Sequence, residues 1–313
     1  MGWPYAGRMD QGDREERAAL LALLRASPKS VSWHQIASEV AFHGSARALS
    51  DQSSDEALFS DPHVQASVEQ AHRDLDAWEA RGLRMVTVLD AAYPQRLLDI
   101  RETPPFLFYE GDLRAEDAGM SVVGSRNASS RGLEFADAAA RLLVGEGLSV
   151  IAGLAAGVDA TAHRAALDAG GRTVAFIGTG ITKSYPAANR DLQAEIARRG
   201  LVVSQFLPDA PPTKQTFPMR NASMSGYGLA TIVVEAGENS GTRIQARLAM
   251  EHGRAVILTS PVVASTTWGA ALAARPGVHV VDGLDDLARA VDSVRGERDE
   301  IRAALRELAL AEA

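Results

Sequence analysis

Cysteine is absent from this 313-residue chain. That absence excludes disulfides, thiolate nucleophiles and cysteine-ligated zinc, and it suits a reducing compartment. Apolar runs long enough to span a bilayer are also missing. The opening stretch, Met1 to Asp13, lacks the basic-then-apolar pattern of a leader. The expectation is a cytoplasmic protein with no membrane partner. There is no internal repeat and no low-complexity tract. Positive charge is in deficit, with a formal net charge of −8. An acidic balance argues against nucleic acid, whose phosphates are held by Lys and Arg, unless basic residues gather locally.

What is present fits a globular protein. Hydrophobic residues make up 46% and charged residues 23%, which excludes a disordered chain. The length allows a full core plus one small module. Residues 1–81 read as that module, a small helical unit. Leu20, Leu21, Leu23 and Leu24 belong to one apolar helix after Asp13-Arg14-Glu15-Glu16-Arg17. A second helical pattern runs from Val31 to Phe42. A third runs from His63 to Ala80 and stops at Gly82. The acidic, serine-rich stretch Ser50 to Ser60 reads as a loop between them.

Residues 82–293 change character. Nine short β-branched runs, beginning at Arg84, Phe106, Met120, Ser149, Thr173, Leu201, Ala230, Ala255 and Val278, alternate with helical stretches. Several are apolar at every position, as in strands covered on both faces of a parallel sheet. This predicts an α/β, extended Rossmann-like, doubly wound and mostly parallel sheet. The tail, 294–313, reads as one charged amphipathic helix, its pattern running from Glu297.

Four of these strands end in glycine or small polar residues just before a helix. They are Gly124-Ser125-Arg126, Gly153 to Gly157, Gly178-Thr179-Gly180 and the stretch ending Ser240-Gly241-Thr242. In a parallel sheet such ends share one edge, where ligands bind at the topological switch point. Glycine there lets backbone approach a ligand, and a helix N-terminus favours an anion. Tight turns are the bland alternative for any one of them. Basic residues gather nearby: Arg126, Arg131, Lys183, Arg190, Lys214, Arg220 and Arg243. Tyr185, Phe206, Phe217 and Tyr227 are interleaved with them. Cations for phosphate and aromatic faces for bases are the recipe for single-stranded nucleic acid. A lone Arg or Tyr in such loops would more simply be a solvated side chain.

Other chemistry is thinly supported. There is no G-x-x-x-x-G-K-S/T, and Gly153 to Gly157 lacks full dinucleotide spacing, so no nucleotide cofactor is expected. Asp159 and His163 are spaced i, i+4, but no third metal ligand is evident. Asp159 reads as a helix cap and His163 as a local hydrogen-bonding group. Glu235 reads as an orienting group for its loop. Ser125 and Ser240 have no evident His–Asp partners.

At these loops the sequence resembles the DNA-processing protein DprA (Smf) family. Ser121-Val122-Val123-Gly124-Ser125-Arg126 is similar to its V-G-S-R strand end. Gly153-Leu154-Ala155-Ala156-Gly157-Val158-Asp159, followed by His163, is similar to G-L-A-x-G-I-D with its trailing His. Gly178-Thr179-Gly180 with Tyr185-Pro186 and Asn189 follows G-T-G-x-x-x-x-Y-P-x-x-N. Phe217-Pro218-Met219-Arg220-Asn221 resembles F-P-x-R-N, and Val234-Glu235-Ala236 with Ser240-Gly241-Thr242 resembles V-E-A-x-x-x-S-G-S/T. Departures are Ala222 in place of a following Arg, Arg243 as an added cation, and Thr266-Thr267-Trp268-Gly269 where the family has G-T-N.

The resemblance implies a homodimer that binds single-stranded DNA and delivers it to the recombinase RecA in natural transformation, without catalysis. Carried over, Gly124, Ser125, Arg126 and the backbone of Gly178, Thr179 and Gly180 would hold phosphate. Gly153, Gly157, Phe217, Asn221, Ser240, Gly241, Thr242 and Arg243 would complete the site. Arg220 and Lys183 would line the DNA path. Two alternatives stay open: a nucleotide-binding sensor of the same superfamily, as in antiphage defence, and a nucleotide hydrolase of the lysine-decarboxylase-like (LOG) group. In the latter's pattern an acid stands where this chain has Gln245.

Overall fold

The computed structural model of the chain describes residues 11–28, 30–52 and 63–311. Most of Met1–Asp13 and of the expected Ser50–Ser60 loop lies outside these residues, as do Lys29 and the last two positions. Among the described residues four helices come first: α1 (Gln11–Ala26), α2 (Trp33–His43), α3 (Ala46–Gln52) and α4 (His63–Ala80). Local sequence explains their limits. Ser32 and Gln35 form a reciprocal capping box at the start of α2, and Gly44, with φ +70°, closes its end in the left-handed region. Ser50 to Gln52, expected as loop, close α3.

The nine expected runs are all strands. β1 (Arg84–Thr87), β2 (Phe106–Gly111) and β3 (Gly119–Gly124) lead into α5 (Ser130–Gly145). β4 (Ser149–Ala152), α6 (Val158–Asp168), β5 (Thr173–Phe176), α7 (Arg190–Arg199), β6 (Leu201–Ser204) and α8 (Thr216–Tyr227) follow. β7 (Ala230–Glu235), α9 (Gly241–Glu251), β8 (Ala255–Thr259), α10 (Ser260–Ser265), α11 (Thr267–Ala273), β9 (Val278–Val281) and α12 (Leu284–Ala311) complete the order. The strands form one sheet in the order β1-β2-β6-β5-β4-β3-β7-β8-β9. β1 and β2 pair antiparallel at one edge, and the strands from β6 to β9 are parallel. The fold is therefore the mostly parallel, Rossmann-like sheet that the alternating runs imply.

Strand alternation sorts the core into two layers. Val122, Val150, Ile232 and Ile257 face one layer with Ala139 of α5, Ala162 of α6 and Val291 of α12. Val123, Ile151, Val233 and Leu258 face the other. The helical module packs into that second layer: the Trp33 ring lies 5.7 Å from Phe106, and Trp78 lies 4.9 Å from Phe108.

One element starts earlier than its sequence pattern. The tail helix, expected from Glu297, begins at Leu284 and runs unbroken across 293/294. Leu287, Ala290, Val291 and Val294 are buried against the sheet, so packing extends the helix back past Gly296. No helix among the described residues is long and apolar enough to cross a membrane.

At the end of the sheet opposite the glycine loops, Asp117 is a buried acceptor. Its carboxylate takes hydrogen bonds from Ser149 Oγ (2.5 Å), Arg172 Nε (2.8 Å) and the Tyr227 hydroxyl (2.8 Å). Burial, with Asp117 beside it, pushes the Tyr227 phenol well up. Removing the carboxylate would strand the buried Ser149 and Tyr227 hydroxyls and take one partner from Arg172. Asp117→Ala is expected to lose about 3 kcal/mol in urea unfolding. A loss below about 1 kcal/mol would mean that the network is not a structural tie.

Candidate functional site

The chain winds from β3 through β4, β5 and β6 to one side, then from β7 through β8 and β9 to the other. β3 and β7 are neighbours, so their carboxyl ends open where the winding reverses, the usual ligand crevice of such sheets. A cleft of about 560 Å³ lies there. Gly124 to Asn127 after β3, Ala155 and Asp159 after β4, and Gly237 with Asn239 to Thr242 after β7 line it. Phe217, Arg220 and Asn221 of α8 form the remaining wall. Three of the four expected loops therefore meet on one face.

Hydrogen bonds fix the first loop. Ser129 caps α5, its hydroxyl accepting from Gly132 N at 3.1 Å. The Glu235 carboxylate accepts from Ser129 N (3.0 Å) and from its hydroxyl (2.5 Å), while Glu235 O accepts from Ser125 N (2.7 Å). Glu235 is thus the orienting group its sequence position suggests.

The glycines serve a purpose different from the one expected. At Gly157, with φ +77°, a Cβ would lie 2.3 Å from Ser125 O and 2.7 Å from Arg126 O. At Gly124 it would lie 2.6 Å from Val158 Cγ2. These positions let neighbouring loops touch each other; ligand contact is not what demands glycine there.

Arg220 lines the cleft from its floor, with its head group turned largely inward. It is only 6% exposed, and its Nη1 donates to Gly153 O (2.5 Å) and Phe176 O (2.7 Å). Its Nε donates to Asn221 Oδ1 (3.0 Å). The guanidinium therefore ties the ends of β4 and β5 from beneath. A Cβ on Gly153 would sit 1.9 Å from Nη1 and would displace the guanidinium from that carbonyl. Asp159 lies in the same buried cluster, accepting from Gly153 N (2.9 Å) and Ala155 N (3.4 Å). Burial pushes its carboxyl up, opposed by Arg220. It ties the loop before α6; the residue at the N-cap itself is Gly157. His163 sits 2.6 Å from Thr173 Oγ1, and burial, then Arg220, pulls its pKa down to about 3, so it stays neutral at physiological pH.

The third loop does not reach the cleft wall. Gly178, Thr179 and Gly180 are buried. A Cβ on Gly178 would meet the Phe217 ring at 2.7 Å, and one on Gly180 would meet Pro208 O at 2.2 Å. Expected as phosphate-holding backbone, they line neither the cleft nor the smaller cavity beside it and form a seat for Phe217 and for the loop after β6. Phe206 and Tyr227 are likewise core residues, 8% and 2% exposed.

Two aromatics do face out. The Tyr185 ring, 44% exposed, lies 5.5 Å from Phe217. The Arg126 guanidinium lies 5.7 Å from the same Phe217 ring, within cation–π range. Arg126 is exposed and makes no ion pair among the described residues. A smaller cavity of about 90 Å³ adjoins, lined by Arg126, Ala156, Tyr185, Phe217 and Arg220. Arg243 is exposed in the first turn of α9, beyond the Ser240 cap. Arg131, Lys183, Arg190 and Lys214 are exposed but line neither cavity.

Some contacts had no sequence signal. Gln245 lines the cleft, and its amide satisfies Asn221 O (2.9 Å) and Ser225 N (3.3 Å) when its nitrogen faces the former. Ser225, His252 and Glu102 form a chain, 2.9 Å at each link. Ser225 is 1% exposed and its hydroxyl also meets Ala222 O, so the chain binds helix to loop rather than presenting a nucleophile.

Comparisons with known proteins agree with this architecture. The chain matches the family DNA recombination-mediator protein A over residues 84–292. It is 42% identical over 201 residues to the DNA processing protein DprA of Streptococcus pneumoniae, covering 64% of this chain and 65% of that protein. It is 35% identical over 187 residues to Protein Smf of Synechocystis sp., covering 58% of this chain and 47% of that protein. The chain thus spans about half to two thirds of these curated relatives. The solved DprA of Streptococcus pneumoniae superposes with a TM-score of 0.68 at 29% identity, covering 88% of this chain and 95% of that one. DNA processing protein A of Helicobacter pylori, solved for its single-stranded DNA binding mode, superposes at 0.60 and 21% identity, covering 67% and 96%.

The Arg220–Gly153 contact can be tested by stability alone. Gly153→Ala is expected to cost about 1–3 kcal/mol by overpacking. Gly237→Ala, where a Cβ meets nothing within 4 Å, is expected to stay within about 0.5 kcal/mol of the parent. Equal unfolding midpoints for both variants would contradict this packing.

Proposed function

We propose that this chain, which belongs to the DNA recombination-mediator protein A family, binds single-stranded DNA along the strand-end edge at the β3/β7 switch point. One observation carries the reading. Arg126, an exposed guanidinium without an ion pair among the described residues, stands over Phe217 at the mouth of the cleft. Phosphate satisfies such a cation, and the outward Tyr185 ring offers a face on which a base stacks. Duplex DNA keeps its bases stacked inside and cannot use that face, so the reading favours single strands. The Helicobacter pylori relative, solved for its single-stranded DNA binding mode, supports the same ligand.

The family likeness supports the finer parts of the proposal. The chain acts as a homodimer in the cytoplasm, protects bound single strands and passes them to the recombinase RecA. It does this by binding, without a cofactor. The helical module of residues 1–81 serves as an accessory to the sheet domain of residues 82–293. Among the site residues, Arg126, Arg243, Phe217 and the first turn of α9 face the strand, while Arg220 holds the floor beneath it.

Salt titration tests the reading. Binding of an unstructured oligothymidylate should weaken linearly in log salt, with a duplex of equal length binding more weakly. Arg126→Ala should cut affinity about tenfold at low salt and reduce the slope by about 0.7, the loss of one phosphate contact. Unchanged affinity and slope in that variant would overturn the proposal. Full competition by a mononucleotide would instead favour a nucleotide sensor.

A further inference from the structure

The loop after β7 carries an acid beside the proposed DNA edge. Glu238 is exposed, one residue from cleft-lining Gly237 and Asn239, and its charge acts on Arg243. A carboxylate there should repel phosphate. Yet both its oxygens are engaged by α11. Oε2 accepts from Thr267 N at 2.8 Å, and Oε1 accepts from the Thr267 hydroxyl. These bonds hold the Glu238 carboxyl below the usual range. A second tie lies alongside: the buried Trp268 Nε1 donates to Gly237 O at 3.4 Å.

The loop has little else to hold it. Gly237 and Gly241 bracket it, and a Cβ on either would meet nothing within 4 Å. Its internal bonds are those of a single turn and its cap: Ser240 N to Gly237 O (3.2 Å), Thr242 N to Ser240 Oγ (3.1 Å), Ser240 Oγ to Thr242 Oγ1 (2.9 Å) and Arg243 N to Ser240 O (3.1 Å). Glycine-flanked backbone with so few contacts is disordered unless something outside the loop fixes it.

We propose that Glu238 is a positioning residue: by clasping Thr267 it fixes the loop after β7 so that the first turn of α9 and Arg243 face the bound strand. This rests on the DNA reading above. Glu238 gives up favourable charge at the edge and supplies order in return. Thr267 and Trp268, which stand where the resembled family has a different motif, are the receiving half of the clasp.

The two roles open to Glu238 predict opposite signs. If it merely repels phosphate, Glu238→Ala binds oligothymidylate more tightly than the parent. The clasp predicts about tenfold weaker binding, with an unchanged unfolding midpoint. Glu238→Gln keeps one acceptor oxygen for Thr267 N, its amide nitrogen can donate to the Thr267 hydroxyl oxygen, and the charge is lost, so it should bind at least as well as the parent. Amide hydrogen exchange gives an independent readout without DNA. In Glu238→Ala the amides of Ser240, Thr242 and Arg243 should exchange at least tenfold faster, while Glu238→Gln resembles the parent. Unchanged exchange, or equal or tighter DNA binding by Glu238→Ala, overturns the clasp. If the parent itself binds no oligothymidylate, the DNA reading fails and exchange alone decides the clasp.

Discussion

A guanidinium taken out of water needs acceptors, and Arg220 finds them in two backbone carbonyls and the Asn221 side-chain oxygen. It draws the ends of β4 and β5 together through Gly153 O and Phe176 O. Much at this edge follows from that placement. Glycine at position 153 leaves room for the guanidinium, which any Cβ there would displace from its carbonyls. Asp159 is retained in a buried place because it balances the charge and holds the Gly153 amide. Phe217, three residues before Arg220 on α8, is brought over Gly178, where its ring meets both Tyr185 and Arg126.

Arg126 and Arg220 feel each other's charge, and Arg126 depresses the Arg220 pKa after burial has done so. Two like charges are held near each other, and both act on one buried carboxylate, Asp159. The outer one has no ion pair among the described residues. This local excess is what reconciles an overall charge of −8 with the proposed anionic ligand. Elsewhere, acids and bases neutralise each other in pairs such as Arg81–Asp209 (2.8 Å) and Arg295–Glu146 (2.7 Å).

Strand positions were legible because parallel strands buried on both faces leave uninterrupted apolar runs, and all nine runs are strands. The switch-point edge was legible because small residues followed four of them. Which loop faces the ligand was not. Gly178 and Gly180 carry the same signal as Gly124, yet they make room for Phe217 and Pro208. Glycine reports close approach without naming the approaching group. Arg220 illustrates the same ambiguity: one Arg in a loop–helix junction can reach water or turn inward, and the carbonyls that turn it inward lie 44 and 67 positions away. The start of α12 was hidden by Gly296, which interrupts an apolar stripe that packing carries through. The ties from Glu238 to Thr267 and from Ser225 through His252 to Glu102 join distant segments and leave no periodic trace.

The account stands on one spatial claim, that a strand enters the β3/β7 cleft with a phosphate on Arg126. A crystal structure of the protein with a short oligothymidylate tests it directly. The expected map shows a phosphate oxygen within about 3 Å of the Arg126 guanidinium and a base against Tyr185. An ordered strand on another face, with this cleft holding only water, would contradict it.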